Sequence, residues 1–242
     1  MEQIAKGNRF VVAVDGPAGA GKGAVCRAAA SQCRLAYLET GAIYRALALL
    51  SLREAVEQPQ ILAERAASMP FAYQAMGNGL FRAFLADEDV TDALRGETVG
   101  QAASRIAAIP TVRTALLAFQ RLYGQGHHLI LDGRDVGTAV WPDADLKIFL
   151  TASLEERAKR RVLELQEAGK NASFPEIYAA MAERDQRDAG RVAAPLRAAP
   201  DAITVDTTRL TLEQSVDQVL QLVKNSLNKA NFACSESAVG SR

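Results

Sequence analysis

The chain has 242 residues, of which 49% are hydrophobic and 23% charged, and its 28 Lys and Arg balance 28 Asp and Glu. This suits one large globular domain, or a domain with an insertion, and disfavours a nucleic-acid coat, because such proteins are strongly basic. No stretch approaches 18 uninterrupted apolar residues, which excludes a continuous membrane-spanning helix. Of the 28 cations, 21 are Arg and 7 are Lys. Arg grips phosphate bidentately, although a GC-rich coding sequence produces the same bias.

The opening MEQIAKGNRF has no apolar run, so no signal peptide is expected. Cys26, Cys33 and Cys234 are widely spaced and odd in number, the pattern of a reducing, cytosolic compartment. Cys26 and Cys33 are expected to fill apolar space on a helix.

Residues 10–14 (FVVAV) form the first strand-like run, followed by 35–38, 129–131, 146–150 and 202–205. Runs apolar on both faces suit a parallel sheet buried between helices. Helical patterns cover 24–32 and 41–53, and Ser153-Leu-Glu-Glu156 reads as a capping box opening another helix. Residues 212–227 place Leu212, Val216, Val219, Leu220, Val223 and Leu227 on one face. The alternation predicts an α/β fold, a three-layer doubly wound parallel sheet of about five strands.

Two regions interrupt it. Residues 66–90 read as short antiparallel strands around Gly77-Asn78-Gly79, and 155–191 as a charged helical flap broken at Gly169-Lys170-Asn171. The core then comprises 1–65, 91–154 and 192–227, and the polar tail 228–242 is expected to lack fixed structure.

The first strand runs into Gly16-Pro17-Ala18-Gly19-Ala20-Gly21-Lys22-Gly23-Ala24, where Gly16, Gly21 and Lys22 fit the phosphate loop G-x-x-x-x-G-K. Backbone N–H groups would wrap the phosphate oxygens at the positive end of the following helix, with Lys22 reaching the β- and γ-phosphates. Gly23 and Ala24 lack the hydroxyl that usually ligates Mg²⁺. The metal is therefore expected to be held by ATP and water, with Asp132 behind the water. Asp15 is the alternative carboxylate, or simply a turn former.

Asp132-Gly-Arg134-Asp135 follows the third strand, where an α/β sheet places its ligands. Arg184, Asp188 and Arg191 fall at i, i+4 and i+7 of a helical pattern, flanked by Arg187, and Arg157, Arg160 and Arg161 form a second cluster. Such runs usually mark solvated faces, but phosphoryl transfer is mostly positioning and charge stabilisation. His127 and His128 precede their strand and belong at its far end, so no base stands ready for an alcohol acceptor. A nucleoside monophosphate, already an anion, needs cations instead.

The motifs GPAGAGKG (16–23), GAIYR (41–45), DGRD (132–135), ERDQRD (183–188) and APL (194–196), in this order, resemble the bacterial cytidylate kinases over about residues 10–223. The resemblance implies transfer of the ATP γ-phosphate to CMP or dCMP, with Mg²⁺ bound alongside ATP. It makes 66–90 the acceptor-binding insertion and 155–191 the lid region. A cytoplasmic location is expected from the cysteines and the N-terminus, and a monomer is expected, although the sequence itself does not reveal the oligomeric state. ATP would be held by residues 16–24 with Arg157 and Arg161. Arg45, Arg134 and Arg191 would hold the acceptor phosphate, and Ser104, Arg113 and Asp135 the cytosine. Arg184 and Asp188 would sit near the sugar and the transferring phosphate, and Thr40 completes the acceptor site. Lys22, Arg134, Arg184 and Arg191 would carry the chemistry. Glu39-Thr40 replaces the family's usual Asp-Ser, each side chain one carbon larger. Other P-loop kinases, and a nucleotide-binding switch without transfer chemistry, are the competing readings.

Overall fold

The computed structural model describes residues 9–77, 80–123 and 127–232. Five parallel strands make the main sheet: β1 (Val11–Asp15), β2 (Ala36–Glu39), β6 (Leu129–Gly133), β7 (Leu146–Thr151) and β8 (Ile203–Asp206). Their spatial order is β2-β6-β1-β7-β8. Each lies within one or two residues of its expected bounds, because continuous apolar runs leave little choice of placement.

Alternate residues of β1 serve opposite cores, as a strand's period of two requires. Phe10, Val12 and Val14 join the apolar faces of α1 (Lys22–Cys33) and α8 (Leu212–Lys229). Val11 and Ala13 join the larger cluster containing α2 (Thr40–Glu54), α3 (Pro59–Ser68), α4 (Glu97–Ile106) and α5 (Pro110–Tyr123). The result is three layers. Cys26 and Cys33 are buried thiols in the first of these cores. Among the described residues, no single helix is long and apolar enough to cross a membrane.

The interrupted regions take the expected secondary structure. β3 (Phe71–Gly77), β4 (Leu80–Leu85) and β5 (Glu88–Asp89) form a small antiparallel sheet; Asn78 and Gly79 lie outside the described residues. α6 (Leu154–Glu167) and α7 (Phe174–Ala189) are separated by the Gly169 break, where Gly169 has φ of +70°.

Three local expectations are corrected. Ser153 Oγ accepts from Glu156 N at 3.2 Å, but the Glu156 carboxylate turns to Arg160 Nε at 3.0 Å, so only half a capping box forms. The complete box sits on α8, between Thr211 and Gln214. α7 ends at Ala189, so Arg191 lies beyond the helix and not on its face. Residues 228–232 belong to the fold: α8 runs to Lys229, and the Phe232 ring packs 4.6 Å from His128 and 5.9 Å from Phe10. Cys234 lies outside the described residues.

Candidate active site

The carboxyl ends of β1, β2 and β6 open into a cleft of about 430 Å³. Its first wall is the loop joining β1 to α1. Gly16 has φ of +152° and Gly19 +75°; the backbone conformation favours glycine at both, and space demands it at Gly16. A Cβ on Gly16 would overlap the Leu150 carbonyl oxygen; one on Gly19 would lie 2.9 Å from Met181 Cε. Lys22 folds back over this loop, donating from Nζ to the carbonyls of Gly16 (2.8 Å) and Pro17 (2.7 Å). Ala18, Gly19, Gly21, Lys22, Gly23 and Ala24 line the cleft, whereas Gly16, Pro17 and Ala20 stand behind its wall.

Asp132 projects from β6 beneath this loop, 5% exposed, and accepts a hydrogen bond from the Tyr37 hydroxyl at 3.1 Å. Burial pushes its carboxyl well up, Glu39 adds to that, and Lys22 opposes it. Burial, with Arg134, lowers the Lys22 ammonium, while Asp132 supports it. A Cβ at Gly23 would meet Asp132 Oδ2 at 3.5 Å, so the residue after Lys22 sits directly over the carboxylate. Asp15 is placed differently. Its Oδ1 accepts from Val136 N at 2.7 Å and its Oδ2 from Gly137 N at 2.8 Å, committing both oxygens to backbone amides. Burial raises its pKa to about 6.

The rest of the lining is rich in cations. Arg45, Arg113, Arg134, Arg161, Arg184 and Arg191 all line the cleft, as do Thr40, Ser104, Asp135 and Asp188. Asp188, 1% exposed, accepts from Arg134 Nε at 3.0 Å and from Arg191, so that it gathers two arginines from separate elements. Arg45 pairs with Glu39 at 2.9 Å, and Thr40 Oγ1 donates to the Asp132 carbonyl at 2.8 Å. Arg113 pairs with Asp135 and lies 5.7 Å over the Tyr44 ring. Arg184 is lowered to about 10 by burial and by Arg134, and its Nε is buried without a hydrogen-bond partner. The Arg191 Nε is likewise unpartnered.

The second cluster divides. Arg161 reaches the cleft, held by Glu164 at 3.1 Å and Glu97 at 3.4 Å. Arg160 turns away to the Thr207 carbonyl at 2.6 Å. Arg157 does not line the cleft. It is 4% exposed and donates to the Ala152 and Ala18 carbonyls and to Asp185, bracing the phosphate loop against α7 from behind. Arg187 donates to Ser104 Oγ at 3.1 Å. Tyr44 and Tyr37 were not among the expected site residues. Tyr44 lies inside the GAIYR motif, but Tyr37 carries no local sign of its bond to Asp132. His128 Nδ1 accepts from Phe10 N at 2.9 Å, at the amino ends of the strands and away from the cleft.

Among the described residues, no group of three or more His, Cys, Asp or Glu could hold a metal. A single buried carboxylate below a phosphate loop fits an ion delivered on a nucleotide, held through water, and not a protein-caged one.

A family model described as cytidylate kinase matches residues 12–225. A cytidylate kinase of Magnetococcus marinus is 55% identical over 221 residues, covering 91% of this chain and 98% of that relative. One of Yersinia pestis is 47% identical over 212 residues, covering 87% and 92%. The match extends from β1 into α8 and spans every wall of the cleft: the chain belongs to the cytidylate kinase family.

Proposed function

We infer that this chain transfers the γ-phosphoryl group of ATP to CMP or dCMP, giving ADP and the nucleoside diphosphate. The observation that carries this is one cleft lined both by the Lys22 phosphate loop and by Arg45, Arg134, Arg184 and Arg191. Two anionic substrates are what such a cleft accommodates.

ATP is held by the backbone of residues 16–24 with Arg161 at the lid side, while Arg157 acts on the donor site through the Ala18 carbonyl. Lys22 must release the Gly16 and Pro17 carbonyls to meet the β- and γ-phosphates. Arg45, Arg134 and Arg191 take the acceptor phosphate, and Arg184 the transferring group, with Asp188 reaching a sugar hydroxyl. Cytosine offers an N4 donor beside N3 and O2 acceptors, so Asp135 can accept while Arg113 and Ser104 donate. Uracil reverses N4 and N3, leaving buried groups unpaired. A bound Mg²⁺ would neutralise the phosphate oxygens, with Asp132 as its carboxylate through water. Residues 66–90 serve the acceptor side, 155–191 close over the cleft, and the enzyme works as a cytoplasmic monomer.

Turnover measured on CMP, dCMP, UMP and AMP tests this. CMP and dCMP should exceed UMP in kcat/KM by on the order of 10²-fold or more; comparable rates on UMP or AMP would overturn it.

A pH effect follows from Lys22. Its pKa is depressed in the free protein, and phosphate restores the ammonium, so ATP binding should take up protons above neutral pH. Affinity should then weaken by up to about tenfold per pH unit once Lys22 is neutral. Calorimetry in buffers of different ionisation heat reads this directly; proton release on binding at pH 8 would contradict it.

A further inference from the structure

Directly after Asp135 the chain makes a single turn of π-helix, Val136–Val140, closed by Val140 N to the Asp135 carbonyl at 3.2 Å and Trp141 N to the Val136 carbonyl at 2.7 Å. Wide turns of this kind are uncommon and cluster at functional sites. The first amides of any helical turn have no partner within it. Here Asp15, from the end of β1, accepts from both Val136 N and Gly137 N, one carboxylate oxygen to each. Asp15 cannot shift easily: it is 4% exposed, pairs in register with Gly133, and precedes a Gly16 wedged against Leu150.

The other end of the turn is held too. Arg121, on α5, donates from Nε to the Val140 carbonyl at 3.0 Å and from NH2 to the Ala139 carbonyl at 3.2 Å. The same helix presents Arg113, which pairs with Asp135 at the head of the turn. Contacts therefore close a ring: Arg113 to Asp135, along the turn, and back through Arg121 to one helix, with Asp15 pinning the ring to the strand that feeds the phosphate loop.

We propose that Asp15 and Arg121 are positioning residues that clamp the Val136–Val140 turn from its two ends and so fix Asp135 and Arg113 for the acceptor base. Neither touches substrate. The proposal rests on the CMP reading above. An ionised carboxylate only accepts, so it can serve two N–H groups at once. Asparagine of the same shape would aim its NH₂ at one of them, leaving donor against donor.

The test is Asp15→Asn and Arg121→Gln, each with kcat and KM for both substrates, CMP affinity by calorimetry, and the CMP-to-UMP ratio. Asp15→Asn should weaken CMP binding by about tenfold and lower the CMP-to-UMP ratio, because a tenfold change is one lost charge-assisted hydrogen bond. KM for ATP should move by less than about twofold, since the residue 16–24 cradle keeps its contacts. Arg121→Gln, at a half-exposed residue where substitution costs less, should show the same selective pattern at smaller size. The double variant should fall short of the sum, because both act on one turn. Equal loss of ATP and CMP affinity, or an unchanged CMP-to-UMP ratio in Arg121→Gln, overturns the clamp. If Asp15→Asn does not fold, Arg121→Gln alone decides. Wild-type protein lacking CMP preference would instead sink the functional reading, so the two failures are told apart.

Discussion

Lys22→Ala is expected to reduce phosphoryl transfer by on the order of 10³-fold or more while CMP affinity stays within about twofold of wild type. Lys22 is the cation of the phosphate loop: it stands at the first residue of α1, over the loop that would cradle ATP, while the arginines assigned to the acceptor come from other elements lining the same cleft. Its removal should not unfold the protein. Two hydrogen bonds to the Gly16 and Pro17 carbonyls are lost, worth about 1 kcal/mol each, and the cost of burying an ammonium is relieved at the same time. Single-turnover kinetics, CMP calorimetry and a melting curve separate these effects. Arg134→Ala should show the opposite split, with CMP affinity falling and the donor site intact. An equal loss of CMP affinity in Lys22→Ala would mean that donor and acceptor sites have been exchanged.

Strand-by-strand, the main sheet was legible because burial on both faces leaves a continuous apolar signature, as in FVVAV and LKIFL. The phosphate loop was legible for a related reason: its chemistry is backbone chemistry, and glycines at Gly16, Gly19 and Gly21 announce it. Side-chain destinations were less so. Arg157 and Arg161 look alike on paper, four residues apart on one capped helix, yet one braces Ala18 from behind and the other faces the cleft. Asp15 reads equally as a turn former or a metal carboxylate; its actual partners, Val136 and Gly137, are 121 and 122 residues away. Local periodicity carries no information on pairings at that distance. The same limit hid the bond from Tyr37 to Asp132, and the packing of Phe232 on His128, where a polar, aperiodic tail obscured a single aromatic anchor.

Arg184 lends itself to the second large effect, because the free protein holds it at a cost. The residue is half-buried, but its guanidinium lies buried near Arg134; burial and that like charge both depress it, and its Nε has no hydrogen-bond partner. A cation kept in this state is prepared for charge that arrives only during the reaction, which is where a transferring phosphoryl group spreads its charge over its oxygens. Arg184→Met keeps most of the apolar stem and removes the charge. It is expected to lower kcat by about 10³-fold with CMP affinity changed by less than about tenfold. The melting temperature should rise by about 2–4 °C as the like-charge burial is relieved. Arg184→Lys should not rescue the rate, since an ammonium cannot reproduce a planar fork that grips two oxygens at once. A fall in melting temperature with an unchanged kcat would place Arg184 among the braces of the fold, alongside Arg157. Rescue by lysine would reduce its part to simple charge. Loss of rate with a gain in stability is the outcome expected of a buried cation whose partner charge arrives only during the reaction.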